Sequence, residues 1–160
     1  MGFSAKVLAD SVAKNGCRLT TLEVSMPRIV LAEFNTHRVF SRNSASSRAI
    51  PFEKQLARIL DEPFIPIYWG VNQPGMQAYA ELNLKEQTHA MRQWRIARDL
   101  AVVSLVQLAG GVTALKDANL RRRIRSMQRK YDPSNAGIFG TPLERGLHKQ
   151  YVSRPLEAYM

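Results

Sequence analysis

One stretch of this chain leaves little freedom: Met91, Trp94, Ala97, Ala101, Leu105 and Leu108 recur at spacings of three and four. That period predicts a long helix with one apolar side. Asn83 can cap its start, with Glu86 three residues on completing a box, and Gly110-Gly111 ends it. A second helix is expected over about 114–130, with Leu120, Ile124 and Met127 on its apolar side. Arg121, Arg122, Arg123, Arg125, Arg129 and Lys130 cover the rest of that helix. FEKQLARIL (52–60) follows Pro51 and predicts a shorter amphipathic helix. RLTTLEVS (18–25) alternates apolar and polar side chains, as a strand does. Pro27 suits the first turn of a short helix, to which Ile29, Val30 and Phe34 give an apolar side. Residues 61–77, with three prolines and two glycines, predict turns around one short apolar strand, FIPIYW. Residues 131–146 read as loop. The pattern is that of an α/β (α+β) protein.

At 160 residues the chain fits one domain and can bury a sizeable core. No apolar run approaches the length of a membrane span, and the first residues lack a secretory h-region. The expectation is a cytoplasmic protein without a membrane partner. A single cysteine, Cys17, excludes an internal disulfide and reads as an inert thiol rather than a nucleophile. Three histidines, none with a partner at ligand spacing, leave a zinc site unsupported. Lys and Arg outnumber Asp and Glu by 23 to 13, giving a net charge of +10, which suits an anionic partner, an anionic substrate or simply solubility.

The chemistry concentrates between His37 and Arg48. Those 12 residues hold three arginines, four serines, an asparagine and a histidine. Arginine forks make charge-assisted bonds to phosphate oxygens, and serine hydroxyls with loop N–H groups complete a cradle. No Walker or dinucleotide glycine pattern is present. From composition alone a solvated, scattered-charge loop is the competing reading.

The order of the residues adds more. His37-Arg38-x-x-Ser41-x-Asn43-x-x-Ser46-x-Arg48 resembles the signature of flavin-dependent thymidylate synthases, and THRVFSRNSASSRAIP looks like divergent members from viral genomes. FIPIYWGVNQPGMQA (64–78) and LHKQYVSRPLE (147–157) resemble two further stretches of those members. The resemblance implies a mixed sheet with long helices in one domain over 1–160, with 111–146 as a basic insertion. It implies methylation of dUMP to dTMP with methylenetetrahydrofolate, FAD and NADPH in a homotetramer. His37, Arg38 and Asn43 match FAD-contacting positions. Ser46, Arg48 and Arg154 match positions that hold dUMP, Arg48 at its phosphate. Ser46 is read as a binding residue, since no neighbouring base activates its hydroxyl, and no catalytic residue is assigned. Departures from the signature are Thr36 for its first arginine, Ser44 for its glutamate and Glu33 for a preceding glutamine. The family continues beyond its HKQ segment, so the resemblance also implies a C-terminally shortened member or one completed by a separate C-terminal partner fragment.

Two other readings stand beside this one. The 120–130 helix could track a nucleic-acid backbone in a non-catalytic basic protein, or be a solvated face or oligomer contact. The fold could also serve only as an oligomerisation scaffold.

Overall fold

A computed structural model of the chain describes residues 4–44, 49–75, 78–134, 137–144, 152, 155 and 156. The protein is mixed α+β, with one antiparallel hairpin and four α-helices among the described residues. Backbone proximity divides it into two units, Met1–Asn43 and Ser44–Met160.

In the first unit β1 (Ser4–Val12) pairs antiparallel with β2 (Arg18–Ser25). β2 matches the sequence expectation; β1 was not foreseen. The Asn15-Gly16 dipeptide between the strands is the signal that marks it. Gly16 takes φ 84°, where a side chain would be strained, and its N–H donates to the Ala13 carbonyl at 2.9 Å. The register pairs Ala5 with Val24 and Val7 with Leu22, placing these four on one face. Leu8 is the extra residue of a register shift between Val7 and Ala9. Nearer the turn the same face carries Asp10 and Thr20, a register pair, and Arg18. The Arg18 guanidinium meets the Asp10 carboxylate at 2.6 Å, and the Thr20 hydroxyl donates to it at 2.8 Å. Every residue of both strands is exposed, so the hairpin owes its form to the backbone ladder and cross-strand pairs rather than to a core.

Pro27 leads into a 3-10 turn (Arg28–Val30) and α1 (Leu31–Phe34). Together they make the short helical stretch expected after Pro27, in which Ile29 is exposed and Val30 and Phe34 are half-buried.

The second unit holds the core. α2 (Phe52–Asp61) contributes Leu56 and Ile59, both fully buried. α3 (Leu84–Leu108) starts at the expected Asn83–Glu86 capping box. It ends at Gly110 (φ 107°) and Gly111 (φ 80°), whose N–H groups donate to the Gln107 and Val106 carbonyls. The buried side of α3 keeps Leu105 of the expected stripe, with Met91, Trp94 and Ala101 half-buried, but is shifted in its last turns. Val102, Val103 and Val106 are fully buried, whereas Ala97 and Leu108 are exposed. The branched valines offer more apolar surface than the alanines, so the core side of the last turns follows them. α4 (Ala118–Tyr131) buries Leu120 and Ile124 against this core, with Met127 packed at its margin, as expected. Val152 and Leu156 join the same cluster.

FIPIYW forms no strand. Pro63 and Pro66 offer no N–H to a ladder, and only an isolated bridge, Gly70 with Glu81, forms nearby. The segment instead packs as loop. The Trp94 indole N–H donates to the Phe64 carbonyl at 3.0 Å, and the Phe64 and Trp69 rings meet Trp94 edge-on. Trp94 is thus a packing residue of α3, as the sequence suggests. Among the described residues the two-stranded hairpin is the only sheet. No helix there is long and apolar enough to cross a membrane.

Candidate functional site

α1 delivers the chain into the loop 35–44. Thr36, which stands where the resembled signature has arginine, closes the helix: its N–H and hydroxyl both donate to the Glu33 carbonyl, at 2.9 and 2.7 Å. The Phe34 and Phe40 rings stack 4.8 Å apart, and the His37 ring meets Phe40 edge-on at 6.1 Å. Arg42 turns inward. Its guanidinium donates to the His37 carbonyl at 2.5 Å, to the Asn35 carbonyl and, more weakly, to the Phe40 carbonyl at 3.4 Å. These carbonyls belong to the residue that caps α1 and to the loop after it, so Arg42 folds the loop back on itself.

Arg42 is therefore structural, a role that a count of phosphate-binding arginines misses. The remaining polar side chains of this loop face solvent. His37, Arg38 and Asn43 are exposed, and Arg38 has no ion pair among the described residues. Imidazole, guanidinium and carboxamide thus lie exposed within seven residues of sequence, each able to donate a hydrogen bond. Ser46, Arg48 and Arg154 lie outside the described residues.

Cys17 is exposed in the hairpin loop, its N–H donating to the Asn15 side-chain oxygen at 3.1 Å. His89 is exposed on α3. Among the described residues no group of three or more His, Cys, Asp and Glu could hold a metal ion.

The second unit presents the other charged feature. Asp117 caps α4, accepting from the Asn119 and Leu120 N–H groups at 2.7 and 2.9 Å. The Glu53 carboxylate of α2 accepts from the Lys116 and Asp117 N–H groups at 2.7 and 3.1 Å, tying the start of α4 to α2. Three of the six cations are drawn into this framework. Arg121 donates to the Leu115 and Lys116 carbonyls at 2.7 and 3.0 Å, and Arg123 pairs with Asp61 at 2.5 Å. Lys130 lies 4.7 Å from the Tyr131 ring centre and 3.6 Å from the Asp99 carboxylate. Interaction with the Tyr131 hydroxyl, and less strongly with Asp99, holds the Lys130 ammonium above the usual lysine range. The buried Asp99 carboxylate also accepts from Arg98 at 2.5 Å and from the Tyr131 hydroxyl at 2.9 Å, which satisfies it.

Arg122, Arg125 and Arg129 are left. All three are exposed, and none pairs with a carboxylate among the described residues; Arg122 donates only to the neutral Asn119 side chain at 3.0 Å.

No family model, curated protein or solved structure matches the chain. Any functional reading therefore stands on these residues and their order.

Proposed function

We propose that the segment His37–Arg48 binds phosphate-bearing nucleotides, and that the protein is a flavin-dependent thymidylate synthase-like enzyme acting on dUMP. The observation that carries this reading is the ordered set His37-Arg38-x-x-Ser41-x-Asn43-x-x-Ser46-x-Arg48. The mixed sheet, the homotetramer and a C-terminal completing segment belong to the same proposal.

The loop supports it chemically. Because Arg42 is spent on backbone carbonyls, the exposed donors His37, Arg38 and Asn43 are carried on a braced loop rather than a slack one. Preorganised donors cost less to order on binding. These three fit the anionic diphosphate and polar edges of FAD, while Ser46 and Arg48, with Arg154, hold dUMP. Bound FAD supplies the hydride chemistry, with NADPH as reductant and methylenetetrahydrofolate as one-carbon donor. The residues named here bind, orient and neutralise charge.

The test is flavin retention. The protein is mixed with FAD, passed through gel filtration, and read by flavin absorbance. Wild type should keep flavin; the double variant His37→Ala/Arg38→Ala should lose it with an unchanged far-ultraviolet circular dichroism spectrum. Arg48→Ala should lose dUMP binding while keeping flavin. Equal flavin retention in wild type and the double variant removes the cofactor site from this loop.

A further inference from the structure

We infer that the exposed arginine stripe of α4 is a second, separate binding surface, and that its ligand is the phosphate backbone of single-stranded nucleic acid. Three observations lead there. First, Arg122, Arg125 and Arg129 recur at spacings of three and four, which aligns them on one side of the helix. At a rise of 1.5 Å per residue they span about 10 Å. Three guanidinium groups along that length can each neutralise one phosphate of a flexible single strand.

Second, the structure separates these arginines from their neighbours. Arg121 and Arg123 are committed to carbonyls and to Asp61, whereas the stripe has no carboxylate partner among the described residues. The apolar side of α4 is already spent, since Leu120 and Ile124 are buried in the core. An interfacial membrane helix needs an apolar face to insert, and α4 has none to offer. A purely cationic face with planar, forked donors suits a row of phosphates.

Third, a hollow of about 430 Å³ lies against the stripe, with Arg125 and Arg129 among its lining residues. Gln107, Gln128 and Phe139 also line it. The side-chain oxygen of Gln107 is buried and accepts no hydrogen bond among the described residues, while its amide donates to the Gly140 carbonyl at 3.4 Å. Asp132 contributes a carboxylate, already accepting from the Gly137 and Ile138 N–H groups at 3.0 and 3.2 Å. The Gln128 amide beside two arginines, in a hollow walled by Gln107 and the core-packed Phe139, offers room and a polar edge for one unpaired base next to its phosphate. A duplex keeps its bases stacked and could not fill the hollow, which favours the single strand.

The experiment is fluorescence anisotropy of the full chain with a labelled single-stranded oligonucleotide, its duplex counterpart, and anionic phosphatidylserine vesicles, at several salt concentrations. Three phosphate contacts give a slope near −2 in log affinity against log salt, an affinity loss of about 20-fold between 50 and 200 mM. The triple variant Arg122→Gln/Arg125→Gln/Arg129→Gln should abolish that slope. Lys6→Gln/Lys14→Gln/Lys85→Gln removes the same charge elsewhere and should leave most of it. Circular dichroism checks that both variants keep their helices. The inference is overturned if the single strand does not bind at low salt, if the duplex binds as well or better, if both triple variants lose equally, or if only vesicles bind. Flavin retention by the His37–Arg48 loop is unaffected by either result, so the two proposals fail separately.

Discussion

Ile124 sits where α4 meets the rest of the second unit, and Ile124→Ala measures how much of that unit depends on the contact. The side chain is fully buried. The substitution removes three carbons, worth about 0.8 kcal/mol each in transfer free energy, or about 2.4 kcal/mol together. A residual cavity of about 50 Å³ would add about 1.2 kcal/mol. The expected loss is therefore about 3.5 kcal/mol, a large share of the roughly 5–15 kcal/mol that holds a domain together. Urea unfolding followed by the helical circular dichroism signal reports it, because three helices of this unit dominate that signal. With a slope near 1.5 kcal/mol per molar, the midpoint should fall by about 2 M. Ser126→Ala, two residues along on the exposed side, is the control and should stay within about 0.5 kcal/mol. A loss below about 1 kcal/mol for Ile124→Ala would mean that α4 is not packed through this residue, and the reasoning about its spent apolar face would fall with it.

Asp117→Ala removes the acceptor for two N–H groups at the start of α4 and should cost about 1 kcal/mol in the same urea assay. Gly70→Ala would place its Cβ 2.3 Å from the Ala78 Cβ, so one of the two must shift, and 3.1 Å from the exposed Tyr68 ring. It should destabilise by about 1–3 kcal/mol, seen as a lower thermal midpoint. The Asp10 carboxyl is held below its ordinary value of 3.8 by Arg18 first and Thr20 second. Its contribution to the hairpin is therefore present above that value and is lost as pH falls through the depressed one. Carboxyl chemical shifts should show the low titration, and Arg18→Gln should move it back up.

How far the sequence could be read depended on where the deciding interactions lie. The bounds of α3 were legible because its signals are local: Asn83 and Glu86 complete a box within one turn, and Gly110 and Gly111 take the positive φ that ends it. α4 was legible because Leu120, Ile124 and Met127 are all on one side. β1 is harder to read than β2, although both are exposed on both faces, because the extra residue Leu8 breaks its alternation. FIPIYW misled because hydrophobicity does not distinguish a strand from a loop laid against a tryptophan. Two prolines carried that information, and the Trp94 contact lies 30 residues away. The loop at His37 was legible in composition but not in division of labour. Arg38 and Arg42 look alike on paper, and only the fold sends Arg42 to three backbone carbonyls and leaves Arg38 to solvent.

The same division explains what a net charge of +10 means in this protein. Charge that closes a helix end or answers a carboxylate is already spent, and an anionic partner gains little from it. Arg42, Arg121, Arg123 and Arg18 are of that kind, each with a carbonyl or carboxylate partner at hydrogen-bond distance. Of the other cations, the two proposals rest on Arg38 in the loop after α1 and on the stripe of Arg122, Arg125 and Arg129 on α4. They differ in a way that sets the ligand. The loop gathers one exposed guanidinium with an imidazole and a carboxamide, a mixed donor set suited to a single small anion with polar edges. The stripe repeats one group along a rigid axis, which suits a repeating anion. A long-range field alone would attract both ligands to both places. Under the two proposals, the spacing of the uncommitted donors is what separates a nucleotide site from a backbone track.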